Sequence, residues 1–300
     1  MDYRSPFSDW HAAAAVRAMP PGGWMGGREG EWMPEEAGGV LSHPALRGCR
    51  ERVAAGLLLD NLGFTVALEN RLICPVTRDI AAGMLRARYQ DEVVTDAMRI
   101  QCDESYHAVL AQELIGQVKA MTGAQLPRRE HRFLAHVDRL VDAFPAADAP
   151  MVRFCAAMVS ETLITKTLRD DWLDGRLQQD LRSFLHHHYL DETRHSAYFA
   201  RLLQLVWPQW PQSLRDALQP LWAGLVDAFL EADGESTIEA MQNAGLAPAQ
   251  ARAVMADCAN PQGARRRCEA STQQTFHALR RAGALHAAPA HGAAARGMAR

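Results

Sequence analysis

The sequence predicts an all-α chain: a four-helix bundle built around a pair of metal ions, with accessory helices and an irregular N-terminal segment. Two observations carry this. From Arg50 onward apolar residues recur at intervals of three and four, strand-like alternation is rare, and the breaks fall at Pro or Gly. The only two Glu-x-x-His sequences in the chain, Glu104-Ser-Tyr-His107 and Glu192-Thr-Arg-His195, lie inside such apolar stripes. On a helix, residues three apart project from one face, so each pair can grip one ion from one side. Two such pairs, joined by a lone Glu on each of two further helices, are the pattern of di-iron and di-manganese carboxylate bundles.

Each element follows from local signals. Residues 1–45 are rich in Gly, Pro and Trp and lack periodicity; Trp10, Trp24 and Trp32 would be wasted in a disordered tail, so the segment reads as coil packed on the body. A single all-α domain is expected over 46–283, with a disordered tail over 284–300. The first helix, 47–73, carries Glu69 and ends at Cys74-Pro75. The next, 77–122, carries Glu104 and His107 and reads as one helix or as two joined near Arg88. Helices follow at 128–144, at 150–172 with Glu161, at 175–206 with Glu192 and His195, and at 211–232. Residues 235–256 and 261–283 read as two accessory helices.

With 16 Glu and 12 His, one Glu-x-x-His pair by chance is unsurprising, so the surroundings decide. Glu69 precedes the first pair and Glu161 the second, giving the order Glu, ExxH, Glu, ExxH. Each is isolated in an apolar helical stretch: Glu69 is the only Glu between residues 52 and 91, and Glu161 the only one between 131 and 191. A core carboxylate is costly unless it is paired, protonated or metal-bound. Two unrelated buried acids held by Arg or Lys are the bland alternative. His188 stands four residues before Glu192 and seven before His195, on the same helix face. On spacing alone it is a third imidazole ligand, a satisfied interior histidine or a donor to a ligand. His186 and His187 point elsewhere. Asp9-Trp-His11 and Glu130-His131 read as isolated polar residues.

Taken together, Glu69, Glu104-x-x-His107, Glu161 and His188-x-x-x-Glu192-x-x-His195 resemble the seven-ligand set of the p-aminobenzoate N-oxygenase family, over roughly residues 50–235. The resemblance implies a ferritin-like fold and a non-haem di-iron enzyme that oxidises amines to hydroxylamine, nitroso or nitro products. It also implies His188 as a ligand, and favours a homodimer. Every one of the seven positions is filled here. By analogy with this architecture, Glu104 and Glu192 bridge the two irons. Glu69 and His107 complete one; Glu161, His188 and His195 complete the other.

Carboxylate and imidazole ligands suit iron or manganese, and four carboxylates balance two Fe(II) ions. The expected co-substrate is O2, reduced by both irons to a peroxo-diferric species that reacts at an amine nitrogen. The chain shows no flavin or nicotinamide fingerprint and no Cys spacing for an iron–sulfur cluster, so electrons are expected from a separate protein, or from peroxide in a shunt. The substrate is expected to be an arylamine or an amino acid, free or tethered to a carrier protein, in specialised-metabolite biosynthesis. Asp96, Asp103 and Asp191 are candidates to hold the ligand histidines. Tyr106, Tyr189 and Tyr198 lie near ligands as either core or proton-transfer groups.

Composition narrows the alternatives. A net charge of −3 without a Lys/Arg block argues against nucleic acid. No apolar run approaches the ~18 residues of a membrane span, and the N-terminus lacks a secretory pattern, so a cytoplasmic protein is expected. Six scattered Cys without C-x-x-C read as reduced thiols, mostly in the core. The rival readings are a di-iron enzyme oxidising carbon (a hydroxylase or desaturase) and, in a different class, a ferroxidase or iron store.

Overall fold

The computed structural model describes residues 3–19, 30–34, 38–127, 130–231 and 234–285, apart from the side chains of 261 and 264–268. Trp24, Cys268, the Arg265–Arg267 side chains and the tail beyond 285 therefore lie outside the described residues. The helices are α1 (Trp10–Ala13), α2 (Ala15–Ala18), α3 (Gly38–Leu41), α4 (Arg50–Leu68), α5 (Cys74–Ala81), α6 (Asp91–Thr122) and α7 (Arg132–Ala143). They continue with α8 (Ala149–Leu173), α9 (Gln179–Val206), α10 (Gln212–Leu218), α11 (Leu221–Leu230), α12 (Gly234–Asn243), α13 (Pro248–Asp257) and α14 (Pro261–Arg281). Among the described residues the only β pairing is an isolated parallel bridge between Glu31 and Leu177. The chain is an all-α bundle.

Two helix pairs form its centre, α4 with α6 and α8 with α9, and α6 packs on α9 between them. Residues 174–178 are too short a connection for anything but an antiparallel α8–α9 hairpin. α11 covers α7 and α8, α12 covers α4, and α14 lies on α8 and α9. α6 ends at Gly123, whose φ of 69° supplies the left-handed cap that a side chain would strain.

Three boundaries differ from expectation, each for a backbone reason. Cys74-Pro75 does not end the first helix. Proline at position 75 lacks the N–H and would clash with the carbonyl of residue 71 in a regular helix. Instead Glu69–Ile73 widens into a π turn, closed by a Cys74 N–H to Glu69 carbonyl bond, and the helix continues as α5. The break falls at residues 82–90, a connector that includes Arg88 and is tied down by Trp210 Nε1 donating to the Leu85 carbonyl at 2.7 Å. The expected 211–232 helix divides at Pro220 into α10 and α11. The expected 235–256 helix divides into α12 and α13 around Gly245, at φ 107°.

The apolar interior forms two clusters, one at either end of the central helices. Along α6, Val93, Ala97 and Ile100 belong to one, and Leu110, Leu114 and Val118 to the other; along α9, Phe199, Leu202 and Val206 face Leu181 and Phe184 in the same way. Each fully buried large side chain contributes about 2 kcal/mol of hydrophobic stabilisation. Between the two clusters, at the level of Glu69, Glu104, Glu161 and Glu192, the bundle is polar.

The thiols depart from expectation: Cys74 and Cys155 are buried, Cys49 and Cys258 are half-buried, and Cys102 is exposed. Cys102 lies on the outward face of α6, which the periodicity around Glu104 turns away from the interior.

Candidate metal centre

All seven candidate ligands converge in that polar layer, each no more than 2% exposed. They come from the π turn (Glu69), α6 (Glu104, His107), α8 (Glu161) and α9 (His188, Glu192, His195). Ligand atoms of Glu69, His107, His188 and Glu192 all lie within 4.8 Å of one another, as do those of Glu104, Glu161, Glu192 and His195. Glu192 belongs to both groups. Glu104 reaches toward both as well, with Oε2 2.9 Å from His107 Nδ1 and Oε1 2.8 Å from His195 Nδ1.

The expected grouping needs one correction. His188 sits beside His107, ring centroids 4.2 Å apart, and places Nε2 3.1 Å from Glu192 Oε1. It therefore joins Glu69 and His107 rather than Glu161 and His195. His188 and His195 are two turns apart on α9, about 10 Å along its axis, with Glu192 between them, so they reach to opposite sides of that carboxylate.

The atoms in this layer fit metal better than they fit each other. Glu69 Oε2, Glu104 Oε1, Glu161 Oε2, Glu192 Oε2 and His195 Nδ1 are buried without a hydrogen-bond partner among the described residues. His195 Nδ1 and Glu104 Oε1 are 2.8 Å apart yet not aligned for a hydrogen bond. Electron-pair donors that crowd together without bonding are the arrangement that shared cations require. An unsatisfied buried polar atom costs about 1–3 kcal/mol, more if charged, so five in one layer would be hard to sustain without ions.

Electrostatics agree. Burial, reinforced by Glu104 and Glu192, holds the carboxyls of Glu69 and Glu161 well above the usual carboxylate range. Glu192 is held well below it: burial opposes ionisation, but His195 and His188 outweigh it. Burial pulls His107 down, yet its hydrogen bonds to Asp191 and Glu104 push it up to about 10. Burial and neighbouring His107 lower His188, which leaves its imidazole neutral and able to donate a lone pair.

Two aspartates orient the paired histidines, each from the opposite helix. His107 Nε2 lies 3.1 Å from Asp191 Oδ2, and His195 Nε2 lies 3.2 Å from Asp103 Oδ2. A proton held on Nε2 by the carboxylate leaves Nδ1 free to face the cluster. Both aspartates directly precede a Glu-x-x-His glutamate, so the repeated unit is Asp-Glu-x-x-His, a sequence signal for them that was available. Asp96 does not share this role; it accepts from Tyr3 Oη at 2.7 Å and pairs with Arg99. Tyr198 and Tyr106 donate to the carbonyls of Val93 and Met19, and Tyr189 lies against Trp172, so all three are packing groups. His187 faces the Ser183 carbonyl and His186 packs on Trp172, outside the cluster.

Sequence reasoning missed the contribution of the N-terminal segment. Trp10, read as part of an isolated polar triplet, donates Nε1 to both oxygens of Asp103 at 2.9 Å. The Ala15 backbone N–H donates to Asp191 Oδ2 at 3.0 Å. The surplus of tryptophan was the signal for the first; a backbone donor leaves none. His131 likewise is not isolated: it precedes α7 and packs on Phe64 at 5.2 Å.

A buried layer of four glutamates and three histidines across four helices fits a di-metal carboxylate site of the helical-bundle class. Within that class the chain belongs to the p-aminobenzoate N-oxygenase AurF family, whose model matches residues 50–283. It is thereby an oxidoreductase of the di-iron N-oxygenase type. Comparison with curated proteins gave no match. Among the described residues no helix is long and apolar enough to cross a membrane.

Proposed function

We propose that the chain is a non-haem di-iron monooxygenase that uses O2 to oxidise the nitrogen of a small amine, an arylamine or an amino acid, free or carrier-tethered, in specialised-metabolite biosynthesis. Glu69, Glu104, His107, Glu161, His188, Glu192 and His195 would hold the two irons, with Glu104 and Glu192 between them. The observation that carries this reading is His188: a third buried imidazole within 4.8 Å of Glu69, His107 and Glu192 adds a nitrogen donor beyond the paired motif.

When bound, two ferrous ions supply the two electrons that activate O2. The chain's own residues do the rest. Asp191 and Asp103 keep the protons of His107 and His195 on Nε2. The apolar clusters above and below the layer exclude water. Four carboxylates offset the charge of two divalent ions inside that apolar surround. Electrons come from a separate donor protein, since no flavin, nicotinamide or iron–sulfur motif occurs in the chain.

The test is product analysis. Iron-loaded protein, reductant, O2 and a panel of arylamines and amino acids should yield products carrying added oxygen on nitrogen by mass spectrometry. Oxygen on carbon would favour the hydroxylase reading, and iron oxidation without organic product the ferroxidase one. A homodimer is part of the proposal. Met98 and Val109 are 53% and 48% exposed on the outward face of α6, on either side of Cys102, and such a face suits a second copy. Light scattering should give twice the chain mass.

A further inference from the structure

The region matched by the family begins at residue 50, yet the two aspartates that orient the ligand histidines are themselves held by residues before it. We propose that residues 3–19 form an outer layer of the metal site, with Trp10 and Ala15 as positioning residues, one for each metal. This rests on the di-metal reading above.

Asp103 and Asp191 are both fully buried, and each has one oxygen engaged by a histidine Nε2. A buried carboxylate with one donor is poorly satisfied and free to swing. The N-terminal segment adds donors to both; on Asp191 it joins Arg194, which holds Oδ1, while Ala15 N–H reaches the Oδ2 that faces His107. Trp10 Nε1 clamps both oxygens of Asp103, and Ala15 N–H caps Asp191. The segment is anchored on the same two helices: α2 packs on both α6 and α9. Phe7 stacks against His195 at 6.0 Å and 29°, the Arg99 guanidinium lies 5.9 Å over the Trp10 ring, and Tyr106 Oη donates to the Met19 carbonyl at 2.6 Å.

Two relays result. One runs Trp10, Asp103, His195 to the metal beside Glu161. The other runs Ala15, Asp191, His107 to the metal beside Glu69 and His188. The relays share no residue, so they can be broken separately. A segment that merely covered the bundle with apolar surface would have no such selectivity.

Trp10→Phe removes the N–H, with some ring volume, and keeps an aromatic ring beneath Arg99. Ala15→Pro removes the other donor at the first position of α2, where proline is tolerated, after an Ala14 already extended at φ −62° and ψ 142°. The full chain would be loaded anaerobically with Co(II) and challenged with a chelator. Release is followed by visible ligand-field absorption, with Glu161→Ala and Glu69→Ala assigning the two release phases. Trp10→Phe should speed release of the ion beside Glu161 several-fold, approaching the ~10-fold loss that follows removal of a direct partner of a ligand, and shift only that ion's band. Ala15→Pro should do the reverse; should it fail to fold, Trp10→Phe alone decides.

Unchanged release from Trp10→Phe, or equal acceleration of both phases, overturns the inference. Wild-type protein that binds fewer than two Co(II) per chain overturns instead the di-metal reading on which it rests.

Discussion

Glu69 and Glu161 show how a single side chain can be read from a sequence. Each is a lone acid in an apolar helical stretch, and each lies buried in the layer that holds the two Glu-x-x-His pairs. Replacing either by Ala should remove one metal and leave the other, halving the iron content by elemental analysis. Loss of both ions from either variant would mean that the two groups are not independent. His188→Ala should weaken the ion beside Glu69 and His107 at least ~10-fold, given that even outer partners are worth that much, and cut amine oxidation accordingly. An unchanged product yield would remove His188 from the chemistry. The side of Glu192 that His188 serves was not readable. Sequence spacing gives the helix face but not the neighbouring helix that face meets. Trp10 and Ala15 were out of reach for a similar reason, since they act across about ninety and one hundred and seventy-six residues of chain.

Helices were readable where the apolar period was long and unbroken, as in α6, α8 and α9. They were misread where proline or glycine had two outcomes. Pro75 was absorbed by a π turn that carries Glu69, whereas Pro220 divided a helix. Widened turns often mark functional positions. Here the widening falls on the ligand itself. The apolar stripes flanking the ligands on α9 carry the stability of the layer, and Phe199 is fully buried beside it. Phe199→Ala should cost about 3–5 kcal/mol, measured by chemical denaturation of the metal-free protein. A loss below ~1 kcal/mol would mean that the cluster beside Tyr198 and Phe154 is loosely packed.

The whole chain balances apolar ends against a charged middle, and its response to pH should report that middle. In the metal-free protein Glu69 and Glu161 sit well above 4.5 through burial and neighbouring carboxylates. His107 is pushed from 6.5 to about 10 by Asp191 and Glu104 despite burial. All three therefore hold protons in the folded chain that the unfolded chain has released. Stability falls with rising pH wherever the folded state binds more protons. The contribution of His107 is complete below 6.5 and is lost as pH rises toward 10. The Tm of the metal-free protein should thus decline from pH 6.5 to 9, and saturating Co(II) should flatten the decline by replacing protons with cations. A metal-free Tm that climbs over this range would contradict the charge balance described.

The family and the bundle were readable because ligands impose identity at fixed spacing. The substrate was not, because no fixed spacing marks the residues that would contact it. The most direct test of the account is Mössbauer spectroscopy of the protein loaded with 57Fe and oxidised by O2. It predicts two irons per chain in one spin-coupled diferric pair, seen as quadrupole doublets in zero field. Magnetically split spectra of isolated ferric ions, or one iron per chain, would contradict it.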